Sequence, residues 1–162
     1  MKSSQFSIRE VGGLEYSPPY TNPIPMNRDA GFLHMVSDRE LHELRNALMD
    51  GKLPPDLQAK LLHLAGDGLI HRFIAQNSRL IVSLLLAAYG GSFHEAHEAC
   101  LERLLRVLAY VRKNDDAIPD CTAGGFADDQ QEMRAAITEF AGLLDSFKAW
   151  RLRYQVPEMW RT

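Results

Sequence analysis

From Ser37 onward, apolar residues return every third or fourth position, the spacing that lines one face of a helix. Leu41, Leu44 and Leu48 make the first such stripe. Ser37-Asp38-Arg39-Glu40 precedes it as a capping box: the serine accepts from the backbone three residues on, and the glutamate reaches back. Gly51 stands where a C-terminal cap belongs. Pro55 opens a second, short helix with Leu57, Leu61, Leu62 and Ala65 assigned to its inner face, closed by Gly66-Asp67-Gly68. A third helix runs from about Leu69 to Tyr89. Arg72, Gln76 and Arg79 face outward in its first half, and after Ser78 it is apolar nearly all round, so it is expected at the centre of the fold.

Gly90-Gly91 ends that helix, and Ser92-Phe93-His94-Glu95 reads as a second capping box opening a helix to about Arg112. A last helix is expected from about Asp128 to Tyr154, burying Met133, Ile137, Phe140, Leu144 and Phe147. Nowhere does the chain alternate with the period of two that marks a half-buried strand. The expected fold is all-α, a compact bundle of about five helices. Residues 37–162 form its single helical domain. Residues 1–36 form an irregular arm, because Pro18, Pro19, Pro23 and Pro25 forbid a regular helix and favour extended backbone. Tyr16 and Tyr20 are expected to lie on the domain surface.

The bulk numbers narrow the class. The 162 residues suffice for one core, and a net charge of −3 argues against a general nucleic-acid binder. Two cysteines, Cys100 and Cys121, fit a reducing compartment. MKSSQFSIREVGG has no apolar run and carries Arg9 and Glu10, unlike a signal peptide. The uncharged run Leu80–Phe93 falls short of the roughly 20 residues a membrane span needs. A cytoplasmic protein without a membrane span is expected.

The densest chemistry lies between the last two expected helices, in NDDAIPDCTAGGFADDQQE, which carries Asp115, Asp116, Asp120, Asp128 and Asp129 and neither lysine nor arginine. Two readings are open. In the first, Asp115 or Asp116 turns the chain after Arg112-Lys113, Asp128 caps the final helix and Asp129 complements its dipole. In the second, Asp116, Asp120, Asp128 and Asp129 converge on a divalent cation that wants several carboxylate oxygens. No EF-hand spacing is present. His94, His97 and Cys100 offer a weaker ligand set. On one helix they would fan across about 120°, broad for one zinc, and the two histidines are three apart where H-E-x-x-H needs four. His97 and Cys100 are expected near the apolar seam. The tail mixes Lys148, Arg151, Arg153 and Arg161 with Trp150, Tyr154 and Trp160, a composition that could bind nucleic acid or an anionic surface.

Leu108-Ala109-Tyr110-Val111, then Asp116-Ala117-Ile118-Pro119-Asp120, then Gly125-Phe126-Ala127-Asp128-Asp129 resembles the YkvA-like family, a short bacterial domain of unknown function. The resemblance spans roughly residues 104–144. It implies a helix–loop–helix built on Asp116, Ile118, Pro119, Asp120, Gly125, Phe126, Asp128 and Asp129, without implying an activity. Cys121-Thr122-Ala123-Gly124 stands where the family pattern has an apolar stretch with a second proline. No set of residues assembles nucleophile, base and orienting group, so no catalytic residues are assigned. The reading is a binding or regulatory module that partners another protein and needs no cofactor. The alternatives are a metal-dependent enzyme or cation binder on loop 115–129, and a nucleic-acid binder on the tail. Taking the loop as a structural connector predicts that the thermal midpoint is the same in EDTA and in millimolar Mg²⁺ or Ca²⁺. A micromolar site would instead add about 4 kcal/mol, a rise of many degrees that Asp120→Asn weakens.

Overall fold

The computed structural model describes residues 31–114, 120 and 124–156. Among these the chain is all helical: a 3₁₀ turn at Phe32–Met35, then α1 (Asp38–Met49), α2 (Pro55–Ala65), α3 (Leu69–Tyr89), α4 (Glu98–Arg112), α5 (Ala127–Glu139) and α6 (Ala141–Tyr154). The expected all-α fold is the observed one, with six α-helices. The prolines at 18–25, Tyr16 and Tyr20 lie outside the described residues.

The centre is α3. Every residue from Ile81 to Ala87 is buried, and α3 packs against α1, α2, α4, α5 and α6. One continuous apolar core joins Leu41, Leu44 and Leu48 of α1, Leu57, Leu61 and Leu64 of α2, Leu104 and Leu108 of α4, and Met133 of α5. In α2 the inner face is therefore Leu57, Leu61 and Leu64. Leu62, assigned there from the sequence, is 56% exposed. Three residues on from Leu61 keeps the stripe, whereas the adjacent Leu62 is turned by about 100° toward solvent.

The α1 cap forms as the sequence predicts: Ser37 Oγ accepts from the Glu40 amide at 3.2 Å, and Glu40 Oε2 accepts from the Ser37 amide at 2.8 Å. Gly51 follows with φ +72°, the left-handed conformation that lets the chain leave a helix.

Two expected boundaries are corrected. The Ser92 box does not open α4; residues 93–97 are non-helical and α4 starts at Glu98 with His97 as its N-cap. Ser92 turns back instead. Its hydroxyl donates to the Ala87 carbonyl at 3.1 Å, and the Ser92 and Phe93 amides donate to the same oxygen. Gly91, at φ +78°, makes that reversal possible. The reward is burial of Phe93, whose ring meets Phe147 at 5.1 Å and Trp150 at 5.5 Å. His97, expected near the apolar seam, is exposed, and Cys100 is half-buried.

The second correction is that the last helix is two. Phe140, at φ −109° and ψ 22°, ends α5 and begins α6. The apolar spacing runs through the junction, with Met133, Leu144 and Phe147 buried and Ile137 and Phe140 half-buried. The bend lets α5 pack on α3 and α4 while α6 packs on α3 and α5.

The last six residues of the expected arm also join the body. Leu33 and Val36 are buried, and Phe32 stacks on Tyr110 with ring centroids 6.2 Å apart. The Phe32 amide donates to buried Glu132 Oε1 of α5 at 2.6 Å. A Cβ on Gly31 would fall 2.5 Å from that oxygen, so the chain passes Glu132 only as glycine. Glu132→Ala leaves a buried amide without its acceptor, and the expected loss is about 1–3 kcal/mol in urea unfolding. Gly31→Ala is expected to shift the midpoint in the same direction; an unchanged midpoint in both would show that the 3₁₀ turn is not anchored there.

Candidate functional site

Two places carry chemistry. The first is the acidic connector with the helix ends it touches. Gly125-Phe126-Ala127 leads into α5, whose N-cap position is Phe126. Asp128 is thus inside the first turn and not the cap, which corrects the expected role. It is 1% exposed, and its Oδ2 accepts from the Tyr110 hydroxyl of α4 at 2.5 Å. The carboxylate is held across the α4–α5 interface, where a hydrogen bond to a charged group is worth about 1.5–3 kcal/mol. Asp129 is fully buried on the same turn, where the helix dipole favours negative charge.

Asp120 is answered by a cation that the loop itself does not contain. Lys60 of α2 places its ammonium 2.5 Å from Asp120 Oδ2, with both side chains largely shielded from water. The same ammonium donates to the Lys113 carbonyl at 2.6 Å and lies 5.6 Å from the centre of the Phe126 ring. His71 of α3 packs edge-on to the other side of that ring at 4.6 Å and pairs with Asp67 at 2.9 Å. Lys113 Nζ donates to Glu40 Oε1 at 2.8 Å, and Arg112 clasps Asp56 at 2.7 Å, so the end of α4 is tied to α1 and α2. Burial pushes the Asp120 carboxyl above its ordinary value; Lys60 works against that shift, and the nearby Asp128 charge adds to it.

Of the motif residues, Asp120, Gly125, Phe126, Asp128 and Asp129 are brought to this place, whereas Asp116, Ile118 and Pro119 lie outside the described residues, as does Cys121. No group of three His, Cys, Asp or Glu side chains among the described residues is arranged to hold a metal ion. His94, His97 and Cys100 are not brought together: His94 lines the cleft described next, while Cys100 lines a separate groove beside Arg103, Glu139 and Phe140. Lys60, His71 and Glu132 were missed from the sequence. Lys60 had a signal, since it stands at the third position of the Leu57, Leu61, Leu64 stripe, where a lysine faces protein.

The second place is an open cleft of about 520 Å³ at the C-terminal end of α6. Trp150, Tyr154 and Val156 form one wall, and Ser92, Phe93, His94 and Glu95 of the unwound segment form the other. Phe147 and Trp150 stack at 5.6 Å, and Trp150 meets Tyr154 at 5.7 Å with planes tilted by 49°. Tyr154 is 61% exposed, and Trp150 is half-buried. Of the basic tail, Lys148 pairs with Asp145 at 3.5 Å and Arg151 lies 5.9 Å over the Phe147 ring; Trp160 and Arg161 are outside the described residues. No helix of the described residues is long and apolar enough to cross a membrane.

Compared with protein-family models, curated proteins and solved structures, the chain matches none.

The Asp120 shift fixes a pH dependence. A carboxyl whose folded pKa exceeds its unfolded value contributes most below the unfolded value and loses that contribution as pH rises through the folded one. Asparagine mimics the protonated form at every pH. The stability of Asp120→Asn minus that of the wild type is therefore expected to grow more favourable from pH 3.5 to pH 7, read as paired urea midpoints. A difference that shrinks over this range would mean that Lys60 outweighs burial.

Proposed function

We propose that the protein is a small helical binding module, working in the cytoplasm without catalysis, and that its working surface is the aromatic cleft at the end of α6. The observation that carries this reading is the cleft's composition. Tyr154 and Trp150 are left accessible beside Phe93, although aromatic side chains with this much apolar area are ordinarily covered. Such rings dominate the energy of protein interfaces and ligand pockets, and the cleft's volume falls within the usual range for a ligand site. The acidic connector supports the same reading from the other side. Asp120 and Asp128 are engaged by Lys60 and Tyr110, an arrangement that fastens α2, α4 and α5 together. The resemblance to the YkvA-like pattern falls on that helix–loop–helix, and we read it as a packing motif.

One observation favours the cation reading of the connector: Asp120 and Asp128 lie close enough for each to feel the other's charge. Against it, the Lys60 ammonium already occupies the place beside Asp120 where a metal would act.

Immobilised wild-type protein and its Tyr154→Ala variant, exposed to an extract of the source organism, test the proposal. Because Tyr154 is exposed, the variant is expected to fold as the wild type does. Removal of a central aromatic anchor costs about 2 kcal/mol or more, roughly thirtyfold in affinity. A partner retained by the wild type and lost from the variant is the expected result; identical retention by both would remove the cleft from the account.

A further inference from the structure

We infer that the cleft takes an alkylated ammonium group, as found on a quaternary amine. The inference rests on the binding reading above and names the ligand chemistry of that surface.

Three features of the lining converge on a cation. The first is the set of the rings. Phe93 and Trp150 meet with planes 63° apart and Trp150 and Tyr154 with planes 49° apart, so the three form a corner and not a flat stack. A corner presents ring faces from more than one direction, and ring faces carry the negative end of the aromatic quadrupole. The same aromatic row already draws a cation: the Arg151 guanidinium sits 5.9 Å over the Phe147 ring, behind the cleft.

The second feature is fixed charge. Glu95 is an exposed carboxylate on the lining, and the lining holds neither lysine nor arginine. The third is the backbone. α6 ends at Tyr154, with Val156 on the wall, and α3 ends at Tyr89, three residues before Ser92 on the opposite wall. Two helix C-termini therefore border one cleft, and each carries partial negative charge. His94 is the one basic side chain on the lining, with Arg153 exposed on α6 nearby in sequence.

The apolar walls decide which cation. A bare ammonium is strongly hydrated and needs acceptors in compensation, whereas Ser92 Oγ is committed to the Ala87 carbonyl and Glu95 is the remaining side-chain acceptor with a charge. Methyl groups on nitrogen spread the charge and bury apolar surface against Trp150 and Tyr154. Aromatic corners of this kind recognise quaternary ammonium groups. The group could arrive on a free small molecule, on a methylated lysine side chain or on a choline headgroup.

The test is an NMR titration of the full-length wild-type chain, following the Trp150 indole N–H, with choline and with its uncharged carbon isostere 3,3-dimethylbutan-1-ol at matched ionic strength. Choline is expected to give a saturable shift, and the isostere to bind about tenfold more weakly. Glu95→Gln and Tyr154→Leu, both at exposed positions, are each expected to weaken choline by about fivefold while leaving the thermal midpoint in place. A peptide carrying trimethyl-lysine against its unmethylated twin, and phosphatidylcholine against phosphatidylglycerol vesicles, distinguish the sources. Equal or tighter binding of the isostere would overturn the cation while leaving the cleft a binding site. A flat titration with every cationic probe would overturn it as well, and the Tyr154→Ala retention experiment would then stand alone in judging the cleft.

Discussion

A helix that is apolar all the way round has no face to give to water, and α3 is such a helix from Ile81 to Ala87. Each leucine or isoleucine fully buried there contributes about 1.5–3 kcal/mol, but only if something covers it on every side. The covering takes five helices: α2 and α4 lie along it, α1 and α5 close the flanks, and α6 caps its C-terminal half. The amphipathic stripes of the outer helices are narrow because each needs to cover only one sector of α3. The order of the fold follows from that single demand.

Covering α3 forces polar residues inward where the outer helices meet each other. At the junction of α2, α4 and α5 the chain buries Asp128, Asp129 and Glu132, and each buried carboxylate is tolerable only with partners. Tyr110 supplies a hydroxyl to Asp128 and Phe32 an amide to Glu132, while Lys60 neutralises the neighbouring Asp120. Hydrogen bonds and ion pairs have direction and reach, so they select one register among several that apolar packing alone would accept. The 3₁₀ turn at Phe32–Met35 is held by the same acidic face of α5, which is why residues that read as an extension of the proline-rich arm belong to the body of the fold.

What could be read from the sequence was whatever depended on periodicity and local capping: the central α3, the Ser37–Glu40 box, the Gly51 exit and the absence of strand alternation. What could not be read depended on contacts between distant residues. The Ser92 box has the right letters, but Phe93 gains more from the Phe147 and Trp150 rings than from a helical turn, and Ser92 donates backward to α3. The apolar stripe runs unbroken past Phe140, so nothing local announces that α5 and α6 point in different directions. At the connector the carboxylates were visible and their partners were not. Lys60 lies sixty residues from Asp120, and Tyr110 looked like a member of an apolar seam until its hydroxyl was placed beside Asp128.

The departures from local rules and the candidate site are the same event. Had α4 begun at Ser92, Phe93 would lie within its first turn, and the segment that forms one wall of the cleft would be wound into helix. Had α5 continued straight through Phe140, Trp150 and Tyr154 would follow α5 and not the end of α3. Unwinding residues 93–97 and bending at Phe140 together bring three aromatic rings from two parts of the chain to one corner, bordered by the ends of α3 and α6. The hydrogen bonds forgone in the unwound turn are offset by burying Phe93, but that burial does not require Tyr154 to stay 61% exposed beside Trp150. A fold that minimised exposed aromatic area alone would have covered it. The open corner is where the chain's local and global preferences disagree most, and such disagreements concentrate at functional surfaces.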